Sequence, residues 1–531
     1  MKMKFHVRPT LGIRTMAFAF GAASLAAPSL ASQCDPASFP PLPDVRLRIV
    51  AEEAAPAPHC RVVGVIGTET EFELLLPEEW NGKFVMGGGG GFSGDFNNAA
   101  LSLGPGGIIA DGWATVTTDT GHKGNNIVAT WALNNLERQV SFGFQAVHRT
   151  AVTSQALIAD YYGSDIKRNL FVGCSRGGGQ AMMLAQRSPD LFEGIYAGAP
   201  AYAWTTELAG RWTYDAMNMF PDPTQITTPV IDADAQALIG NAIMDECDAI
   251  DGLADGILND PRQCTFDVSS LQCGAGQTNQ CLSEEQVRVA SDLYREVEFG
   301  GTSWPGMPMG VELPGNPLGW SMWNTGGYVE GAEIDFHPGD GDAEEVFEMP
   351  RIPNATWGFS TQMMKNFFYS DPDWTYEGYD YSDFAHHAAR VSPILDADDP
   401  NLSDFRANGG KLILDNGWMD GSLTAYGTLD YYEKVLALDP TARDDVRLFI
   451  RPGITHCRNG PGPDGTDYIA ALEEWLESGV APDQLDAPYR HPLTRELTGG
   501  GRIICAHPAV VTYDGSGDAN DPTSFSCQVP Q

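Results

Sequence analysis

Between residues 82 and 202, short runs of β-branched and aromatic residues alternate with stretches of helical periodicity. Lys83–Met86 reads as a strand ending in the glycine run Gly87–Gly91, and Trp113–Thr118 as a second strand. Phe142–Tyr162 reads as an amphipathic helix, Asn169–Gly173 as a strand, Gly178–Arg187 as a helix and Gly194–Ala197 as a strand. This alternation is what a parallel α/β sheet with crossover helices requires. From about residue 203 to 380 the pattern dissolves into a segment rich in Pro, Gly, Trp, Tyr and Asp that holds four cysteines. Order returns near Asn401: strands at Lys411–Asp415 and Val446–Arg451 alternate with helices at Leu423–Leu436 and Asp467–Ser478. The pattern predicts one α/β domain, residues 32–202 and 381–531, split by an insertion at 203–380 and closed by a disulfide-pinned tail.

Charge narrows the list of partners. The chain has 531 residues, with 32 Lys plus Arg against 70 Asp plus Glu, a net charge of −38. Affinity for nucleic acid or for an anionic membrane surface comes from clustered basic residues, so both are excluded as expected partners. With 43% apolar residues and 12 Trp the chain can bury a large core and does not read as disordered.

The N-terminus locates the protein. Lys2, Lys4, Arg8 and Arg14 precede an uncharged, Ala-rich stretch that ends in Ser29-Leu30-Ala31, a pattern that a signal peptidase accepts. Interrupted by Gly21 and Pro28, that stretch falls short of the roughly 20 apolar residues of a membrane-spanning helix. Residues 1–31 are therefore expected to be a signal peptide and the product to be secreted or periplasmic. Losing four basic and no acidic residues moves the charge from −38 to −42. Ten cysteines in an exported chain make disulfides the default. Zinc competes, but no C-x-x-C pair occurs. Sequence proximity pairs Cys34 with Cys60, Cys247 with Cys264, Cys273 with Cys281 and Cys505 with Cys527, leaving Cys174 and Cys457 for each other.

Gly173-Cys174-Ser175-Arg176-Gly177 is a G-x-S-x-G motif set between the strand Leu170-Phe171-Val172 and a helix containing Ala181–Leu184. The pentapeptide alone recurs by chance. The strand–turn–helix context is what a nucleophile elbow needs, and the order serine, acid, histidine belongs to the α/β-hydrolase fold. Asp420 follows the strand Lys411–Asp415, and His456 follows Val446–Arg451. In this reading His456 takes the Ser175 proton while Asp420 fixes the imidazole tautomer. A Cys174–Cys457 bond would hold their neighbours Ser175 and His456 together, because disulfide-bonded Cα atoms lie about 5.5–6 Å apart. The oxyanion of an acyl-transfer intermediate needs backbone donors. The amide of Arg176 is one candidate, and those of Gly89 and Gly90 in the glycine run supply the second.

On these residues the sequence resembles the tannase and feruloyl esterase family, whose serine and histidine each adjoin a cysteine of one disulfide, here Cys174-Ser175 and His456-Cys457. The match looks continuous from Cys34 to Cys527. The resemblance implies an α/β-hydrolase core with a large inserted lid domain, 203–380, over the active site. It implies a carboxylic ester hydrolase acting on esters of aromatic acids of feruloyl, galloyl or terephthalate monoester type. Two alternatives stand beside it: an esterase of aliphatic or other small esters, and a calcium-stabilised binding protein without activity.

Asp248, Asp251 and Asp255 in a glycine-containing loop suit a hard cation that takes several oxygens. The resemblance implies structural calcium there, with the carbonyls of Leu253 and Ile257 completing the set, and no organic cofactor. It also makes the lid aromatics Trp320, Trp323, Trp357, Phe359, Phe367, Phe368 and Trp374 candidates for contact with an aromatic acyl group, one or two of them in fact. Arg176 departs from the family, which would have a smaller or acidic residue. Its charge is expected to favour a carboxylate-bearing substrate or to pair with lid acids.

Overall fold

The structure, a computed structural model, describes residues 34–103, 107–312, 319–327, 329 and 351–530. The expected signal peptide, 1–31, lies outside them. The main sheet is built from β1 (Val45–Glu53), β2 (His59–Ile66), β3 (Thr70–Pro77), β4 (Lys83–Gly87), β5 (Ala114–Thr118), β6 (Arg168–Cys174) and β7 (Gly194–Gly198). A small hairpin, β8 (Val297–Phe299) and β9 (Thr302–Trp304), lies in the insertion, and β10 (Lys411–Gly417) and β11 (Val446–Arg451) complete the sheet. The sheet order is β1-β2-β3-β5-β4-β6-β7-β10-β11. Pairing is antiparallel from β1 through β3 to β5 and parallel from β5 to β11.

The parallel strands are buried on both faces because helices cover both. Successive side chains point to opposite sides. In β6, Phe171 therefore joins the core beneath α3 (Ala146–Tyr162) and α4 (Arg176–Arg187). Its neighbours Leu170 and Val172 join Leu472 and Trp475 of α12 (Tyr468–Ser478) on the other side. Two short helices, α1 (Ala99–Leu103) and α2 (Leu136–Val140), precede α3.

Apart from β8 and β9, the described elements between β7 and β10 are helices, among them α5 (Trp212–Met219), α6 (Ala233–Cys247), α7 (Glu284–Tyr294), α8 (Ala355–Met363), α9 (Phe384–Leu395) and α10 (Ser403–Ala407). Part of this stretch, from Met219 to Trp320, has a core of its own. Trp204, Leu208, Trp212, Phe359 and Phe367, however, belong to the main core, so the insertion is rooted in the catalytic body. α11 (Ala425–Leu438) links β10 to β11, and the tail adds hairpins β12 (Gln484–Arg490)–β13 (Leu497–Cys505) and β14 (Val510–Tyr513)–β15 (Phe525–Gln528). All five disulfides form as paired from sequence, with Cα separations of 4.8 to 5.9 Å.

Candidate active site

Ser175 occupies the turn between β6 and α4 with φ +61° and ψ −122°. A non-glycine residue in such a region costs on the order of 1–3 kcal/mol and persists only where its surroundings enforce it. Here they do. The Ser175 amide donates to Gly198 O at 3.0 Å, and its carbonyl accepts from Gly179 and Ala201. A Cβ on Gly173 would lie 2.3 Å from Gly177 O, so the two ends of the turn meet only because Gly173 lacks a side chain.

His456 follows β11 through a loop folded back on β10. Its Nδ1 donates to Asp420 Oδ2 at 2.9 Å. Asp420 is fully buried, and its other oxygen accepts the amides of Ser422 and Leu423 at 2.8 and 3.1 Å. Met419 donates to Ile454 O and Trp418 to Arg451 O, which knits the acid loop to the histidine loop. Cys174 and Cys457 are bonded with Cα atoms 5.9 Å apart, placing Ser175 and His456 side by side. No Ser175–His456 hydrogen bond forms among the described residues. Such bonds are often long without substrate and tighten when it binds.

Sequence reading missed the support beneath this loop. Asp415 of β10 is fully buried and accepts from Arg451 Nε and Nη2 at 3.0 and 2.7 Å, from Tyr196 at 3.2 Å and from Tyr468 at 2.6 Å. Arg451 Nη2 also donates to Cys457 O at 3.2 Å. The ion pair thus reaches the residue beside His456. In sequence these are an acid in a strand and an arginine at a strand end, with nothing to link them.

The expected oxyanion donors divide. The amide of Arg176 heads α4 and that of Gly90 lies in the glycine run; neither donates to another described residue. Gly89 is a correction: its amide donates to Gln180 Oε1 at 3.1 Å and is not available to substrate.

Arg176 is a second correction. Its side chain is buried, its guanidinium donates to Phe142 O and Gly143 O, and it stands 4.2 Å over the Phe142 ring and 5.3 Å from that of Trp204. Burial pulls its pKa down to about 9, and no acid among the described residues faces it. The wide π-helical turn Ser141–Gln145 explains the position, because such a turn leaves carbonyls for an outside donor to satisfy. Arg176 pairs with no acid among the described lid residues.

Of the lid aromatics, Trp323 meets His456 edge-on at 5.0 Å, with Phe359 stacked behind it at 6.4 Å. Trp320 and Trp357 pack on the insertion's own core, while Phe367 and Phe368 lie in the main core and Trp374 stacks on Tyr369.

In the acidic loop Asp248 Oδ1 accepts from Gly256, Asp251 from Leu253 and Asn259, and Asp255 Oδ1 from Ile257; Asp255 Oδ2 pairs with Arg502. Burial raises the Asp251 pKa, and the nearby Asp255 and Asp248 charges add to the rise. The all-oxygen donor set fits a hard cation in its chemistry. Among the described residues, no three His, Cys, Asp or Glu side chains are drawn together into a metal site.

The family profile described as "Tannase and feruloyl esterase" matches residues 57–528. This chain belongs to the tannase and feruloyl esterase family. It is 32% identical to mono(2-hydroxyethyl) terephthalate hydrolase of Piscinibacter sakaiensis over 90% of this chain and 86% of that protein. It is 27% identical to feruloyl esterase B of Aspergillus niger, over 88% and 86% of the two chains. The crystal structure of feruloyl esterase B from Aspergillus oryzae superposes with a TM-score of 0.78 at 23% identity, covering 94% of this chain and all of that one. Tannin acyl hydrolase from Aspergillus niger superposes with a TM-score of 0.69 at 22% identity, covering 95% and 96%. The fold is therefore that of the α/β hydrolases, as expected. This tannase-family member is a carboxylic ester hydrolase. No described helix is long and apolar enough to cross a membrane.

Proposed function

We propose that this tannase-family chain is an exported serine esterase that hydrolyses small esters of aromatic acids through an acyl-enzyme. The observation that carries the reading is the pairing of His456 with Asp420 at 2.9 Å beside the Cys174–Cys457 bridge, which brings Ser175 to the base. Ser175 Oγ attacks the ester carbonyl as its proton passes to His456 Nε2. Asp420 holds the imidazole in the tautomer with Nδ1 protonated and stabilises the imidazolium. The amides of Arg176 and Gly90 take the oxyanion. Collapse expels the alcohol, which receives the proton from His456. Water then loses a proton to His456, attacks the acyl carbonyl and releases the acid with Ser175 restored. The names of the relatives and the Trp323–Phe359 pair next to His456 favour an aromatic acyl group. Five disulfides favour an oxidising compartment.

The direct test combines a fluorophosphonate probe with a panel of methyl ferulate, methyl gallate, a terephthalate monoester and nitrophenyl acetate. Labelling should fall on Ser175 and disappear in Ser175→Ala. An unlabelled folded protein removes the serine mechanism, and turnover of short aliphatic esters alone removes the aromatic preference.

Structural calcium at Asp248, Asp251, Asp255 and the carbonyls of Leu253 and Ile257 belongs to the same proposal. Cys247–Cys264 braces this loop, and Leu253 packs into the core of the C-terminal hairpins. Anything that binds only the folded state raises its melting temperature. EDTA should lower Tm and calcium restore it, with no such response in Asp251→Asn. An unchanged Tm rejects the site.

A further inference from the structure

Gln180 lies on α4, the helix that begins immediately after Ser175, and its side chain is 1% exposed. Its Oε1 accepts the Gly89 amide at 3.1 Å. The rest of the glycine run is held by backbone bonds: Gly88 N to Val172 O at 2.9 Å, Ser93 N to Gly90 O at 2.8 Å and Phe92 N to Asn126 O at 2.8 Å. Loop and helix touch backbone to backbone. A Cβ on Gly88 would stand 2.6 Å from Gly177 Cα and 3.0 Å from Gln180 Oε1, and one on Gly177 would stand 3.1 Å from Gly89 O. Contact this close fixes the distance between the two segments but not the rotation of each peptide plane. A directed hydrogen bond to one amide does fix rotation.

We infer that Gln180 is the positioning residue of the oxyanion hole: by holding the Gly89 amide it sets the next peptide so that the Gly90 amide faces the oxygen of the carbonyl attacked by Ser175. One helix then supplies the first donor, the Arg176 amide at its head, and fixes the second through a side chain on its first turns. The two donors keep a common frame because both are referred to α4. The inference rests on the serine-esterase reading above. A purely structural role, satisfying a buried amide, predicts a different outcome, because it touches stability without touching the transition state selectively.

Two substitutions separate these roles. Gln180→Leu removes the acceptor at similar volume, and Gln180→Glu keeps an oxygen acceptor at the same place. Both are compared with wild type for kcat and KM on an aromatic ester, for inhibition by an aryl boronic acid and for inhibition by the product acid. A boronate bonded to Ser175 places an oxygen in the oxyanion hole, whereas the product acid reports ground-state binding. Loss of one oxyanion donor slows such enzymes by about 100-fold or more, so Gln180→Leu should lower kcat by roughly 30- to 100-fold. KM and product-acid inhibition should stay within about twofold of wild type, since only the transition state loses an interaction. Boronate inhibition should weaken by the same factor as kcat/KM. Gln180→Glu should recover most of both losses.

An unchanged kcat in Gln180→Leu overturns the inference. So does a loss shared equally by product-acid binding, or a Gln180→Glu variant no better than the leucine one. Should the leucine variant fail to fold, Gln180→Met, with only a weak thioether acceptor, is measured in its place. Fluorophosphonate labelling of wild-type Ser175 keeps the two proposals apart. Labelled wild type with an unimpaired Gln180→Leu variant removes this inference alone, whereas unlabelled wild type removes both.

Discussion

A Cβ on Gly417 would lie 2.1 Å from Ile454 O, so the last residue of β10 and the loop carrying His456 meet at a distance that no side chain permits. Asp420 lies three residues beyond Gly417, and its amide donates to Gly417 O at 3.1 Å. Gly417→Ala must therefore push the acid loop away from the histidine loop. Displacements of about 1 Å in a catalytic array cost on the order of 100-fold in rate. The expected result is a fall in kcat of that order with folding retained, read from esterase kinetics and circular dichroism together. Near-normal kcat would show that the loops give way without moving His456 from Asp420. Asp420→Asn complements this, because it keeps the shape while removing the charge that stabilises the imidazolium. A loss of about 10⁴-fold in kcat is expected where the acid has that role, and a loss below tenfold would assign it elsewhere.

The disulfide joining β6 to the loop after β11 spans 283 residues, against 22 for the bridge in the tail. In the chain-entropy model the long loop contributes about 5–6 kcal/mol and the short one about 3 kcal/mol. Both double variants, Cys174→Ala with Cys457→Ala and Cys505→Ala with Cys527→Ala, should thus melt earlier. Only the first should lose activity, by at least about tenfold, since only it frees the residue beside His456. Equal activity losses in the two variants would deny the bridge any part in holding the site. These elements were legible for a physical reason: parallel strands buried on both faces, such as Leu170–Val172, read as short apolar runs, and a G-x-S-x-G turn between strand and helix fixes its own context. β1 lies outside the strand–helix alternation that begins near residue 82: it pairs antiparallel with β2 at the sheet edge, although Val45, Leu47 and Ile49 alternate with Arg46 and Arg48 in the period-two pattern of a half-buried strand. The insertion's helices escaped because π-helical turns at Trp204–Arg211, Ser321–Thr325 and Met364–Phe368 break the 3.6-residue period. Nor does α8 show a polar stripe, since nearly all its residues are buried. The Gln180–Gly89 bond joins residues 91 positions apart and depends on the close approach of a loop to a helix, which no local pattern encodes.

Across the whole molecule, acidity sets a pH dependence that runs against the usual acid denaturation. Asp396 and Glu312 are buried, and burial raises them to about 6 and about 7. In the unfolded chain both carboxyls return to near 4. Between these values the folded protein holds protons that the unfolded chain releases. Their stabilising contribution is complete below about pH 4 and lost as pH rises through 6 to 7. Each shifted unit is worth about 1.4 kcal/mol, so the pair amounts to a few kcal/mol. Exposed acids act in the opposite sense at lower pH: Asp439, lowered to about 2 by Thr441 and Arg406, loses its partners' help as pH falls below 4. Stability should therefore peak near pH 5. A net charge of −38 pushes the same way through self-repulsion, but salt screens that part and leaves the buried acids untouched. Scanning calorimetry in about 0.5 M NaCl, where the Debye length is well below 10 Å, isolates the buried groups. Tm should rise by several degrees from pH 8 to pH 5.5, and Asp396→Asn together with Glu312→Gln should flatten the slope. A flat wild-type profile at that salt concentration would leave only surface repulsion as the source of any pH dependence at low salt.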